Sequence, residues 1–440
     1  MPLKTFSGGI HPLEKTHHGK GLSEHLAITK PEAPRRVKLP MAQHIGAPCR
    51  PLVVAGDRVL RGQLIGETGG FVSAPVHASV SGAVLSVQPE RAIGGQTPLT
   101  VTIENDFKDE TVEFIPADPA ALSREELLKR VAAAGLAGMG GAAFPLHVKL
   151  SPPEGTKIDY LLLNGAECEP YLTADHRMML ERGEMILKGA AILKRILDAD
   201  AAIIGIEANK QDAIANLERL AQGSGIKIQP LRVKYPQGSE KQIIQSLTGR
   251  QVPSGKLPAA AGCVVVNVST AHAVYEAVAL GKPLIDRVLT VTGEGIETPA
   301  NLEVPIGTEI SHLIACCGGL KDGSARLVSG GPMMGIAVFE EDLPIVKGSS
   351  GILALLHGSQ DAHGEGPCIH CGRCSRGCPI HLQPYELYSD MLKKDWAAAE
   401  KHGALDCVEC GACSYICPAR REVTSAIRVA KRQAQALKRK

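Results

Sequence analysis

Two copies of one cysteine spacing constrain this chain more than any other feature. They are Cys368-x2-Cys371-x2-Cys374-x3-Cys378-Pro379 and Cys407-x2-Cys410-x2-Cys413-x3-Cys417-Pro418. Three thiolates two residues apart wrap three irons of a cubane, and the fourth cysteine of each run reaches across to the other cluster. Cys368, Cys371, Cys374 and Cys417 are therefore expected to hold one [4Fe-4S] cluster. Cys407, Cys410, Cys413 and Cys378 are expected to hold the other. Gly372 and Gly411 fall where each loop must turn tightly, which suits glycine's freedom at positive φ. The alternative is a pair of tetrahedral zinc sites, but four-ligand zinc gives no reason for a third cysteine at the same interval, twice over. Adjacent clusters imply single electrons passed in series.

Between the cassettes, residues 384–402 read as a helix with Leu387, Met391 and Trp396 on one side, and a second helix is expected from Glu422 to Leu437. The cluster unit is thus expected to be helical. The other five of the thirteen cysteines (Cys49, Cys168, Cys263, Cys316 and Cys317) are scattered and read as buried thiols. The first residues lack the apolar stretch of a signal peptide, so metal ligation rather than disulfides is expected. No run approaches the ~18 apolar residues of a spanning helix. A net charge of +2 and 3% aromatic residues argue against nucleic-acid binding.

A second chemistry-bearing feature lies upstream. Gly138-Met139-Gly140-Gly141-Ala142-Ala143 fits G-x-G-x-x-G/A formally, but that fingerprint requires a preceding strand. Here Ser123–Gly135 precedes it and reads as a helix, with Ser123 and Glu126 forming a capping box. The glycines still let backbone N–H groups approach an anionic or planar ligand, and Phe144-Pro145 fixes the exit. A plain tight turn is the bland alternative. After the loop, strands at about 160–163, 201–207, 228–234 and 263–268 alternate with helices at about 176–197, 210–221, 239–247 and 270–280. Such alternation indicates a parallel sheet covered by helices. Ligands in these sheets sit beyond the C-terminal strand ends, where Asn164–Glu169, Tyr235–Glu240 and Asn267–Thr270 fall.

The segments GLAGMGGAAFPLHVKL, NGAECEP, YPQGSEKQ and VVNVST resemble the flavin-binding segments of the complex I NADH-oxidising subunit. That protein holds only one cluster. With the twin-cluster tail and an N-terminal GGIHPLE, the whole chain is similar to the RnfC components of Rnf (Rsx) complexes, which are membrane-bound, ion-translocating ferredoxin:NAD oxidoreductases. The resemblance implies FMN against Gly138, Gly140, Gly141, Ala142 and Phe144, with Lys149 near its polar edge. It implies FMN or nicotinamide contacts from Asn164, Glu240, Asn267 and Thr270, and catalytic roles for Glu167 and Glu169. Ala166 and Ser239 stand where the complex I pattern has acids, so those nucleotide contacts are in doubt. Implied partners are integral-membrane and other subunits of an Rnf-like complex, NAD(H), and ferredoxin reached through the complex. The implied location is peripheral, on the cytoplasmic side of the cell membrane. A flavin accepts electron pairs and releases them singly, so it is the expected converter between NAD(H) and the clusters.

The flanking segments complete a multidomain α/β expectation. Residues 1–120 read as a lipoyl-like β barrel-sandwich, in which His77 is structural and no lysine marks a swinging arm. By the same resemblance, residues 121–284 are expected to form the Rossmann-like α/β flavin domain, and 285–355 resemble a β-grasp (soluble-ligand-binding) domain whose Met333-Met334 turn is either a cofactor contact or core packing. Residues 356–430 form the α-helical twin-cluster ferredoxin domain behind a linker, and 431–440 a basic tail suited to an anionic surface or to solvent. Rival readings are a soluble flavin and iron–sulfur reductase resembling cobalamin reductase, and a cluster-carrying scaffold without flavin.

Overall fold

The computed structural model describes residues 2–12, 19–356 and 364–438. Leu13 and Glu14, the linker residues 357–363 and the basic Arg439 and Lys440 lie outside the described residues. At the centre is a four-stranded sheet whose strands are all parallel, in the order Ile226–Leu231, Ala201–Glu207, Tyr160–Gly165 and Cys263–Asn267. Leu161, Leu162 and Leu163 are all fully buried, as expected of a strand covered on both faces. The helix Arg124–Ala133 starts at Ser123 with both halves of the capping box formed. The strand expected at 228–234 ends earlier, at Leu231.

Two helices read as continuous are broken. The first stops at Arg182 and resumes as Gly183–Leu197. Arg182 leaves helical geometry (φ −129°) and its guanidinium pairs with Glu303 on a neighbouring sheet. The second break is at Lys394, which takes a left-handed conformation (φ 55°) between Pro384–Lys393 and Trp396–Lys401. Asp395 then caps the second piece by accepting from Ala398 N.

Two antiparallel sheets make the N-terminal unit. One orders Arg36–Pro40, Leu99–Asn105, Gly82–Pro89 and Arg58–Val59; the other orders Arg50–Pro51, Leu64–Glu67 and Val76–His77. His77 is buried and held neutral, its pKa pushed down to about 3 mainly by burial. A third, six-stranded mixed sheet contains Asp286–Thr292, Ala300–Pro305, Ser324–Ser329, Ile336–Val338 and Gly351–Leu356, with Ile28–Thr29 on one edge. The cluster unit is helical among its described residues, ending in Val423–Lys438. Lys431 and Arg428 pair with Glu409, and Lys438 with Glu400, so several cations of the final helix are engaged within their own domain.

The first residues act as a strap. Lys4 bridges to Leu231, and Ile10 exchanges backbone hydrogen bonds of 2.8 Å in both directions with Tyr235. A Cβ on Gly8 would come within 2.5 Å of the Cys378 carbonyl oxygen. The strap thus runs between the parallel sheet and the first cassette.

Helices Gly183–Leu197 and Val268–Ala279 cross at Gly189, where an added Cβ would overlap the Ala271 carbonyl oxygen. Gly189→Ala is expected to destabilise the chain by roughly 1–3 kcal/mol, the usual cost of overpacking. Thermal unfolding checks this, and an unchanged midpoint contradicts the close approach.

Candidate flavin and cluster sites

The glycine loop closes on itself through Gly138 N–H donating to the Phe144 carbonyl at 2.9 Å. Its far side rests on the last strand end: Met139 N–H donates to Thr270 Oγ1 at 3.0 Å, and a Cβ on Gly140 would lie 2.6 Å from Asn267 Nδ2. Asn267 caps the helix Val268–Ala279 by accepting from Ser269 N and Thr270 N, and its Nδ2 donates to Asp175 at 2.6 Å. Asn164 Nδ2 donates to the Gly238 carbonyl at 2.7 Å, which ties the first strand end to the segment after Leu231. Lys149 Nζ lies 2.7 Å from Glu240 and 2.9 Å from the Val265 carbonyl. The loop, Lys149, Asn164, Glu240, Asn267 and Thr270 are thus gathered at one edge of the sheet.

Gly140, Gly141 and Ala142 are exposed. Among the described residues, the amides of Gly140, Gly141, Ala142 and Ala143 donate to no protein acceptor. A row of open N–H groups on a glycine cradle suits an anionic or planar group, so the residues present fit a flavin mononucleotide.

Glu167 and Glu169 are placed differently. Glu167 (φ 46°) turns its carboxylate onto the first amides of the helix Ala174–Glu181, accepting from Asp175 N at 2.6 Å and His176 N at 3.2 Å. Glu169 accepts from Met333 N at 3.2 Å and Met334 N at 2.9 Å, and lies 3.3 Å from the Tyr235 hydroxyl. Burial pushes both carboxyls up to about 7, against the pull of Lys20 on Glu167 and of the two amides on Glu169. Ala166 is fully buried in a cluster with Leu162, Leu231 and Ile243, so no acid is presented there.

Sequence reasoning missed two residues that hold this loop. Lys20 is buried and its ammonium donates to the carbonyls of Glu167, Glu169 and Leu172. Lys210, also buried, donates to the Ala166 carbonyl beside the buried Glu207. Lys20 lies more than 140 positions from its partners, and no local pattern marks it. Tyr235 stood within a recognised segment, but its hydroxyl reaches 2.7 Å to the Cys410 carbonyl, in the second cassette.

The structure brings Cys378 together with Cys407, Cys410 and Cys413 around one partly open pocket. Pro379, Leu382, Val408, Ala412 and Ile427 supply apolar walls. Backbone amides already face the sulfurs: Leu382 N donates to Cys378 Sγ at 3.3 Å, and Glu409 N to Cys407 Sγ at 3.4 Å. Thiolates ringing a cavity suit a cubane of several irons better than a single tetrahedral zinc. Burial pushes the Cys410 and Cys413 thiols up to about 12, so loading iron there releases protons. Gly372 (φ 68°) and Gly411 (φ 79°) make the expected tight turns. In the other set Cys368 is exposed and Cys371, Cys374 and Cys417 are half-buried.

Comparison with known proteins finds four family matches along the chain. Residues 4–108 match the RnfC barrel sandwich hybrid domain, 131–276 the Nuo51 FMN-binding domain, 288–337 the SLBB domain and 366–435 the 4Fe-4S dicluster domain. The chain is 44% identical to the RnfC component of the Na(+)-translocating ferredoxin:NAD(+) oxidoreductase complex of Acetobacterium woodii, over 99% of this chain and 98% of that protein. It is 46% identical to the corresponding component of the proton-translocating ferredoxin:NAD(+) oxidoreductase complex of Clostridium ljungdahlii, over 87% of this chain and 83% of that one. A crystal structure of NAD+-reducing [NiFe]-hydrogenase in the H2-reduced state shares the fold, with a TM-score of 0.51 and 19% identity over 72% of this chain and 61% of the other.

Two outcomes are expected. Cys378→Ser is expected to cut the iron of a fully loaded, anaerobic preparation from about eight to about four per chain. The loss should fall on the cluster of the 407–413 cassette; loss confined to the 368–374 cassette contradicts the shared cavity. For Glu169, the folded carboxyl titrates near 7 against an ordinary 4.5. Its contribution to stability is therefore present at low pH and lost as pH rises through about 7. Relative to the native chain, Glu169→Gln should gain stability progressively between those two values and no further above them, measured by thermal unfolding across pH. A constant offset at all pH values contradicts the buried carboxyl.

Proposed function

The chain belongs to the RnfC family of ion-translocating ferredoxin:NAD(+) oxidoreductase complexes, and from that premise we infer that it is their peripheral flavin-bearing subunit. It exchanges hydride with NAD(H) at the glycine-loop crevice and passes single electrons through two [4Fe-4S] clusters to or from partner proteins. Bound FMN supplies the conversion between paired and single electrons. Ion movement falls to integral-membrane partners, because no helix among the described residues is long and apolar enough to cross a membrane. The relatives are named as subunits of ion-translocating complexes; integral-membrane partners and placement on the cytoplasmic side are part of this proposal.

One observation carries the reading: a hydrogen-bonded junction joins the crevice to the four-cysteine cavity. Glu169 leaves the first strand of the sheet, holds the Met333–Met334 amides and meets Tyr235, whose hydroxyl touches the Cys410 carbonyl. The Met333 carbonyl in turn lies where a Cβ on Gly411 would meet it at 2.6 Å. The cluster of Cys378, Cys407, Cys410 and Cys413 is then the inner one, next to the flavin. The cluster of Cys368, Cys371, Cys374 and Cys417 is the outer one, beside exposed Ile369, Arg373 and Arg376. Within the crevice, Lys149 and Glu240 orient the flavin and nicotinamide. Glu167 and Glu169 act from behind, Glu167 by fixing the helix Ala174–Glu181 and Glu169 by fixing the turn that seats the cassette.

Rapid mixing with NADH tests the route. Flavin bleaching should survive Cys378→Ser, while electron delivery to an external one-electron acceptor slows at least about tenfold, or ~1.4 kcal/mol of barrier. Unchanged delivery would remove the inner cluster from the path. Protein that takes up FMN but never bleaches with NADH sinks the whole reading.

A further inference from the structure

Arg287 is an ionised side chain with no role in anything described above. It is the second residue of the strand Asp286–Thr292 in the six-stranded sheet and is only 2% exposed. Its Nε donates to the Ser349 carbonyl at 2.6 Å, its Nη2 donates to the Met139 carbonyl, and its Nη1 is buried with no partner. Among the described residues no carboxylate lies within 4.0 Å of it. A buried cation without a paired anion is costly, and the cost shows as a downward shift of the group to about 10. It remains charged at neutral pH.

Its position gives that charge a use. Met139 is tied inward at both ends, its N–H to Thr270 and its carbonyl to Arg287. That grip leaves the amides of Gly140 to Ala143 as the open row facing the crevice. Gly348, next to Ser349, packs against Ala143 and lies near the Gly141 carbonyl. The guanidinium therefore sits directly behind the glycine cradle. The acid whose field reaches it is Asp175, which is held in the same crevice by Asn267 Nδ2 and Ser269 Oγ.

We propose that Arg287 is an electrostatic positioning residue for the flavin: it fixes the Met139 peptide and holds a positive charge behind the cradle that favours the reduced, anionic ring. The inference rests on FMN binding at this loop. Hydride transfer from NADH moves two electrons and one proton, leaving NAD+ and adding one negative charge to the flavin. A cation fixed nearby in a poorly hydrated place stabilises that added charge without rearrangement. Asp175, whose charge reaches the guanidinium, opposes it.

Spectroelectrochemical titration of the FMN-loaded full chain tests the proposal, because it reads the potential and not turnover. Arg287→Gln keeps a donor for the Met139 carbonyl but removes the charge. It should weaken binding of reduced relative to oxidised FMN at least tenfold, which lowers the two-electron potential by about 30 mV. Arg287→Lys should stay within about threefold of the native chain, or about 14 mV on the same conversion. Asp175→Asn should move the potential the opposite way. A flavin potential unchanged in Arg287→Gln overturns the proposal. So does a fall or no change in Asp175→Asn, which decides the matter if the glutamine variant does not hold flavin. A native chain that takes up no FMN overturns the flavin reading itself, and is recognised before any variant is compared.

Discussion

The Glu169 carboxylate is the fixed point of this molecule. It leaves the parallel sheet, takes two amides from the β-grasp turn at Met333 and Met334, and meets the hydroxyl that touches Cys410. Three domains therefore share one buried acid. Each of its partners lies too far away in sequence to be held by local structure, so the carboxylate joins Arg182–Glu303 and Gln242–Pro379 among the contacts that hold these domains together. Gly331 and Gly411 are glycines for the same reason. A side chain at Gly331 would run into Glu169, and one at Gly411 into the Met333 carbonyl.

The loop carrying Glu169 needs support of its own, because Glu167 and Tyr171 sit at positive φ (46° and 68°) where L-residues are strained. Lys20 provides it with three carbonyl contacts, and Lys210 adds a fourth at Ala166. Four carbonyls facing two buried ammonium groups form a small fully hydrogen-bonded network, and satisfied networks of this kind specify one geometry at the expense of net stability. The neighbouring buried acids Glu167 and Glu207 keep the patch close to neutral. Without Lys20, the carbonyls of Glu167, Glu169 and Leu172 would lose that donor in the interior.

Sequence alone made much of this legible, and the reasons differ by element. The cassettes were readable because cubane ligation imposes a fixed spacing that no helix or strand period imitates. The parallel sheet was readable because short buried runs such as Leu161–Leu163 and Val264–Val266 alternate with amphipathic segments. The capping box at Ser123 was readable because both partners are three residues apart. The breaks at Arg182 and Lys394 were not, since Arg182 answers to Glu303 across 121 positions and Lys394 marks a local turn that leaves the helical period almost undisturbed. Asn164, Glu240, Asn267 and Thr270 could be grouped in advance because the strand ends of a parallel sheet gather at one edge. The orientation of Glu167 and Glu169 was hidden, because acids at a strand end look the same whether they face a crevice or a helix terminus.

The two cysteine sets differ in a way the spacing cannot express. Repeats of identical length suggest equivalent sites, yet Cys378, Cys410 and Cys413 are buried against Ala412 and Ile427, whereas Cys368 stands at the surface beside an exposed Ile369. Solvent exposure and hydrogen bonds to sulfur are the main levers on cluster potential. Adding an electron to an already anionic cluster is harder where water is excluded, so burial alone makes the inner site the poorer electron store. Lys431, donating to the Cys407 carbonyl at 2.7 Å, works against that penalty from one side. Under the crosswise ligation proposed here, a dry inner site and a wet outer one share both cassettes and cannot be tuned independently. Moving either cassette changes a ligand of both, and for that reason the Glu169 junction, which seats only the second cassette, reaches both clusters.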